Sequence, residues 1–305
     1  MYLNEQGMVD LNGRPQYVSL RAQRQGAPLL LYLHGGPGDA ALPLVLKHNR
    51  ALEEPFTVAV WEQRGAGKSY YPFAPGEAVT IGIFLQDLLE LVRHLLARFH
   101  QEKLVLVGHS WGSVLGLRFA LDHPELLRAY VGCGQVVNMK KSCRAAYDFA
   151  LAHAKGKVLE RLRATDCTYQ GDQWLDDLLF VTGQVVKHKG SLYGRTNYND
   201  LVFPFLFSRY YSLPDLLRRQ KGSLQSIRFL WPELMGTDFE AETRFGVPVV
   251  LVEGREDHHV SSQLARDYYD TIQTEKRFYW FEQSCHFPQW SESEKFNGLM
   301  AELFA

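Results

Sequence analysis

The sequence predicts an α/β fold: a mostly parallel sheet flanked by helices and interrupted by a helical insertion. Three observations carry this. Short, predominantly apolar runs stop at or near glycine, as in LLLYL (29–33), FTVAVW (56–61) and KLVLVG (103–108). That is how strands buried on both faces read. Segments of helical periodicity separate them, which is the alternation that builds parallel sheets. The strand signal then lapses from about 134 to 245 and resumes at VPVVLVEG (247–254). The expected organisation is a core of residues 1–133 and 246–305 with a helical cap of residues 134–245.

The elements follow in order. YLNEQGMVDL and QYVSLRAQ flank NGR at 12–14, a turn signal, and predict a β-hairpin. PLLLYLHGG and FTVAVWEQRG read as buried strands. From Ile81 the apolar positions 81, 84, 85, 88, 91, 92, 95 and 96 follow helical spacing, with Thr80 placed to cap the N-terminus. KLVLVGHS is a strand, WGSVLGLRFALDHPELL a helix ending near His123-Pro124, and YVGCG a further short strand. After the insertion, VPVVLVEG and RFYWFEQ are expected as buried strands around a helix at SSQLARDYYDTI, and NGLMAELFA as a terminal helix.

Composition narrows the function classes. The chain has 305 residues, 46% hydrophobic and 22% charged, with a formal net charge of -1. Near-neutral charge gives no drive toward nucleic acid or anionic lipid. No apolar run approaches the roughly 20 residues that span a bilayer, and the N-terminus lacks the basic start and apolar stretch of a secretion signal. The four cysteines, Cys133, Cys143, Cys167 and Cys285, form no C-x-x-C pair, so reduced thiols and a cytoplasmic location are expected. EQRGAGKS (62–69) ends like a phosphate loop, but Glu62 stands where that loop needs its first glycine, and a carboxylate there repels phosphate. No nucleic acid, membrane, metal or cofactor is expected.

The chemistry-bearing motif is Gly108-His109-Ser110-Trp111-Gly112. It fits G-x-S-x-G between a predicted strand and a predicted helix, where a tight turn exposes the serine hydroxyl and the helix N-terminus faces developing negative charge. Serine needs a base. In the chain order Ser, acid, His, Asp257 follows the strand VPVVLVEG, with Glu256 as a competitor, and His286 follows the last strand. His258 and His259 would be metal ligands only if further ligands converged on them. His34-Gly35-Gly36-Pro37-Gly38 follows a strand directly. Its glycines let backbone N–H groups face a carbonyl oxygen, so Gly35 or Gly36 and Trp111 are the expected oxyanion donors. His34 reads as structural. Cys285 reads as a packing residue.

HGGPG at 34–38, EQRGAGKS at 62–69 and GHSWGS at 108–113, with Gly254, Asp257 and His286, together resemble the α/β-hydrolase superfamily and its proline iminopeptidase-like branch. The resemblance covers about residues 25–132 and 246–290. It implies an α/β-hydrolase fold with an inserted helical cap, and it makes EQRGAGKS a strand-end turn. Glu62 departs from the aspartate usual there by one methylene.

By this resemblance the chain is a serine hydrolase acting through an acyl-enzyme, an aminopeptidase releasing an N-terminal residue such as proline from short peptides. A carboxylesterase or lactonase uses the same machinery, and a non-catalytic binding protein on the same fold is a remote alternative. Cap glutamates bind the free amino group in the resembled enzymes. Their segment is not recognisable here, which leaves Glu233 in LWPEL as the substrate-binding candidate, with Asp238 and Glu240 at similar depth. The cap aromatics, from Trp174 to Trp231, are expected mainly as cap core, with some lining a small apolar pocket over Ser110. The expected partner is a small-molecule or short-peptide substrate. Oligomeric state is open.

Overall fold

The computed structural model describes residues 2–305. β1 (Leu3–Leu11) and β2 (Arg14–Ala22) form an antiparallel hairpin. Its turn residues Asn12 and Gly13 have φ of 51° and 73°, the left-handed pair that matches the twist of the flanking strands. β3 (Leu29–Leu33), β4 (Thr57–Glu62), β5 (Leu104–His109), β6 (Leu127–Cys133), β7 (Val249–Gly254) and β8 (Lys276–Phe281) complete an eight-stranded sheet in the order β1-β2-β4-β3-β5-β6-β7-β8. β2 meets β4 antiparallel, and every pairing from β4 to β8 is parallel.

The helices alternate with these strands. In chain order they are α1 (Leu42–His48), α2 (Ile81–Phe99), α3 (Trp111–Asp122), α4 (Met139–His153), α5 (Gly156–Ala164), α6 (Trp174–Lys187), α7 (Asn199–Leu206), α8 (Leu213–Met235), α9 (Ser262–Thr271), α10 (Pro288–Ser291) and α11 (Ser293–Phe304). α4 to α8 all lie between β6 and β7. Thr80 caps α2, its hydroxyl accepting the Ile83 N–H at 3.3 Å. β3 shows why the central strands read as apolar throughout. Leu29, Leu31 and Leu33 enter the core on one face of the sheet, while Leu30 and Tyr32 enter the core on the other.

One expectation needs correction. RFYWFEQ is not a buried strand: β8 is the sheet edge, and within it only Phe281 is buried. It has a neighbour on one side only, so its outer flank lies open.

Beneath the turn after β4, the Asp87 carboxylate is fully buried. It accepts two bonds from Arg64 at 2.7 Å, one from Gln16 at 2.6 Å and one from Asn12 at 2.9 Å. This ties α2 to the hairpin and to the strand-end turn. Above the turn, α8 crosses very closely. A Cβ on Gly222 would lie 2.5 Å from the Gly65 carbonyl, and a Cβ on Gly38 would lie 2.3 Å from the Gly222 carbonyl. Backbone-to-backbone contact of this kind requires glycine on both sides.

Candidate active site

Ser110 sits between β5 and α3 with φ 53° and ψ -119°, a conformation an L-residue adopts only under constraint. The flanking glycines are obligatory. A Cβ on Gly108 would lie 2.5 Å from the Gly112 carbonyl, and one on Gly112 would lie 2.3 Å from the Leu33 carbonyl. The turn is pinned by the Ser110 N–H donating to the Cys133 carbonyl at 3.1 Å and by the Ser113 hydroxyl donating to the Ser110 carbonyl at 2.5 Å.

Asp257 follows the β7 turn and is buried. Its Oδ1 accepts the N–H groups of His259 at 2.8 Å and Val260 at 3.0 Å, and its Oδ2 accepts from His286 Nδ1 at 2.9 Å. Glu256, the competitor, points to solvent 3.7 Å from His258. With Nδ1 donating, the free lone pair of neutral His286 is on Nε2. Burial favours the uncharged form of each partner, pushing Asp257 up to about 7 and His286 down to about 3. At Asp257, neighbouring His259 and the N–H groups of Val260 and His259 oppose that push. Ser110 and His286 line the same cavity.

Gly35 lies against the serine: a Cβ there would be 3.2 Å from Ser110 Cβ. Gly36 has φ 123° and lines both cavities that meet at Ser110. Trp111 opens α3, so its N–H is one of the helix's first four, which have no acceptor within the helix. The geometry therefore brings Gly35, Gly36 and Trp111 around the serine.

Two supporting residues, Gln63 and His109, escaped the motif reading, and a third, His34, was read there as structural. Gln63 accepts the Trp111 indole N–H at 2.8 Å and donates to the His34 carbonyl at 3.2 Å. His34 Nε2 accepts the Gln63 N–H at 3.1 Å while Nδ1 donates to the Gly35 carbonyl at 2.7 Å, and burial lowers its pKa to about 4. His109 donates from Nε2 to the His286 carbonyl at 2.9 Å. Only the E-Q-R order after a strand could have pointed to Gln63; its partners are remote in sequence. Glu62, one residue earlier, is completely buried. It accepts the Lys68 N–H at 2.5 Å and the Tyr211 hydroxyl, and burial raises its pKa to about 7.

The cap acids lie elsewhere. Glu233 is exposed, and its Oε2 accepts the Ile81 N–H at 2.8 Å, at the start of α2. It lines neither cavity at Ser110. Glu240 binds Lys141 at 2.6 Å, and Asp238 accepts the Glu240 N–H. The expectation of Glu233 as an ammonium ligand is therefore corrected: α8 turns that position outward, onto the end of α2. Among the described residues, Asp39 is the one carboxylate lining either cavity, and it is paired with Arg219 of α8. Cys285 donates to the Lys189 carbonyl at 3.3 Å, with burial pushing its thiol up to about 12. Among the described residues, no cluster of three or more metal-ligating side chains is present, and no helix is long and apolar enough to cross a membrane.

Residues 28–293 match the alpha/beta hydrolase fold family. A probable aminopeptidase of Bacillus subtilis, YbaC, is 31% identical over 286 residues, covering 90% of this chain and 88% of that protein. The proline iminopeptidase of Neisseria gonorrhoeae is 37% identical over 108 residues, 35% of this chain and 32% of that one. Among solved structures, the proline iminopeptidase of Mycobacterium smegmatis superposes with a TM-score of 0.73 at 19% identity, covering 98% of this chain and 97% of that chain. An N-acyl homoserine lactone degrading enzyme, Est816, superposes at 0.68 with 15% identity, covering 98% and 100%. Both are likenesses of fold. With a family match running from before β3 into α11, this chain belongs to the alpha/beta hydrolase fold family.

Proposed function

We propose that this hydrolase is a serine enzyme that cleaves an acyl bond through a covalent acyl-enzyme, and that it acts as an aminopeptidase on short peptides. The observation that carries the mechanism is the Asp257–His286 bond at 2.9 Å, with His286 lining the cavity into which the strained Ser110 turn opens. His286 Nε2 takes the proton as Ser110 Oγ attacks the carbonyl carbon. The N–H groups of Trp111 and of Gly35 or Gly36 hold the oxyanion. His286 then returns the proton to the leaving amine, and water repeats the sequence to release the acid. Asp257 fixes the tautomer of His286 throughout. The likeness to a probable aminopeptidase over nine-tenths of the chain supports the peptidase reading.

A second reading, an esterase or lactonase, is favoured by the cavity beside Ser110 that carries no charged side chain among its described lining residues. The test compares a free-amine prolyl anilide, its N-acetyl counterpart and a short-chain nitrophenyl ester, on wild type and Ser110→Ala. Activity confined to the free-amine anilide and lost in Ser110→Ala supports the aminopeptidase. Activity on the ester alone replaces it with the esterase. Turnover surviving in Ser110→Ala removes the serine mechanism.

A further inference from the structure

The large apolar side chains left in water are not spread over the molecule. Of the twelve exposed among the described residues, eight fall within residues 202–229 of the cap. Val202, Phe203, Leu206 and Phe207 follow helical spacing along α7 and its C-terminal cap, and Leu213, Leu217 and Leu224 do so along the outer face of α8. Phe207 is 85% exposed, Leu213 74% and Leu217 60%. Both helices are already seated by their other sides, through Phe205 on α7 and Gly222 and Ser226 on α8, all buried. The two helices touch, and Arg219 of α8 lies 4.0 Å over the Phe205 ring. Single exposed apolar residues are ordinary, but a row of them on adjoining helices marks a surface that something covers.

The exposed charges of this segment are of one sign. Arg209, Arg218, Lys221 and Arg228 are exposed, and from Leu201 to Pro232 the only carboxylate is Asp215. Asp215 is buried and committed to the start of α8, accepting the Ser212 N–H at 3.0 Å and the Ser212 hydroxyl at 2.7 Å. The segment's ion pairs are Lys68–Asp215, Arg218–Asp215 and Asp39–Arg219. They leave Arg209, Lys221 and Arg228 without an ion pair among the described residues. The net charge of -1 for the whole chain hides this local separation. A second copy of the chain is a poor cover, because docking the face on itself sets these cations against their own copies with no exposed carboxylate between them.

We infer that α7 and α8 dock on an anionic lipid surface. Phe207, Leu213 and Leu217 enter the boundary between headgroups and acyl chains, and Arg209, Arg218, Lys221 and Arg228 meet the anionic headgroups. Docking of this kind needs no helix that crosses the bilayer, and none is present among the described residues. The face also reaches the candidate active site. Val202 is exposed on it and lines the larger cavity at Ser110, together with Tyr198 and Leu201 at the start of α7. Docking therefore brings that cavity to the lipid surface. The placement does not depend on which acyl bond Ser110 cleaves, and its test reads binding alone.

The full chain is floated with vesicles of phosphatidylcholine alone and of phosphatidylcholine with about 30 mol% phosphatidylglycerol. At low salt, about tenfold more protein or better is expected with the anionic vesicles, and about 0.5 M salt should release most of it. Phe207→Ser with Leu213→Ser, and separately Lys221→Glu with Arg228→Glu, should each cut flotation by about tenfold. Their side chains are exposed, so Tm should hold in both. Met8→Ser, at a residue 55% exposed on β1, should float like wild type. No flotation with either vesicle, equal flotation with both, flotation kept in both double variants, or an equal loss in Met8→Ser overturns the assignment. Lipid-free protein tests the rival occupants. A dimer in sedimentation velocity that Phe207→Ser with Leu213→Ser dissociates gives the face to a second copy and overturns the lipid assignment. Binding to polyglutamate as tight as to the anionic vesicles, and unchanged by Phe207→Ser with Leu213→Ser, gives it to an acidic protein and overturns it likewise.

Discussion

The indole N–H of Trp111 donates to Gln63 Oε1 at 2.8 Å, and the Gln63 amide in turn donates to the His34 carbonyl at 3.2 Å. One side chain at the end of β4 thus joins the turn carrying Ser110 to the loop carrying Gly35 and Gly36. Under the proposed mechanism the two donors of the oxyanion site come from these two segments, and their separation is set by Gln63.

Replacing Gln63 by Ala should therefore lower kcat by about 10- to 100-fold, with a smaller change in KM. It also strands a buried indole N–H at a cost of about 1–3 kcal/mol in stability. Gln63→Glu keeps the acceptor for Trp111 but loses the donor to His34, and should fall between the two. Steady-state kinetics with denaturant unfolding separates the effects. A Gln63→Ala enzyme with wild-type kcat would show that the two segments hold their spacing without it.

His34 gives a pH-dependent stability. Burial lowers its pKa to about 4 from the ordinary 6.5, and both ring nitrogens are engaged in the neutral form. Below pH 6.5 the unfolded chain takes up a proton that the folded chain refuses. Stability contributed by neutral His34 is thus present above about 6.5 and is lost as pH falls toward 4, by up to about 3 kcal/mol. The stability of wild type relative to His34→Gln should decline across that window. A difference constant from pH 7 to pH 4 would contradict it.

Glu62 has the opposite sign. Its folded pKa is raised to about 7 from 4.5, so the folded chain holds a proton that the unfolded chain releases. The resulting stability is full below about 4.5 and lost as pH rises through 7, again by up to about 3 kcal/mol. Glu62→Gln, which stays neutral, should gain on wild type as pH climbs from 5 to 8 in thermal melts. Parallel pH curves for the two proteins would show that Glu62 is ionised throughout.

Gly222 tests the seating of the cap. Its missing Cβ lets α8 rest on the Gly65 carbonyl, where an added methyl would sit at 2.5 Å, and on the Gly38 carbonyl at 3.1 Å. Gly222→Ala must lift α8 or shift the loop at Gly38. A loss of about 1–3 kcal/mol is expected, with a drop in kcat/KM larger than that of Gly183→Ala on α6, where nothing lies within 4 Å of an added Cβ. Equal, wild-type activity in both would mean that the position of α8 does not shape the site.

Much of the fold was legible because its signals are local. The Asn12-Gly13 turn, the predominantly apolar runs of β3 to β7, the Thr80 cap and the glycines around Ser110 each follow from a few adjacent residues. β8 misled because RFYWF is as apolar as a central strand, and nothing local says that the sheet ends there. The cap resisted for a related reason: periodicity finds its helices without saying which face of α8 meets the core. That is why Glu233 was expected at the pocket and instead binds the start of α2.

By itself the sequence determined the strand–helix alternation, the strained Ser110 turn and the chain order of Ser110, Asp257 and His286, because backbone sterics and side-chain periodicity act over neighbouring residues. Only the tertiary structure decided that Asp257 rather than Glu256 reaches His286, and that Tyr211 meets Glu62 from 149 residues away. Those outcomes depend on which distant surfaces pack together and exclude water. Burial, hydrogen bonding and charge at a site belong to that packing.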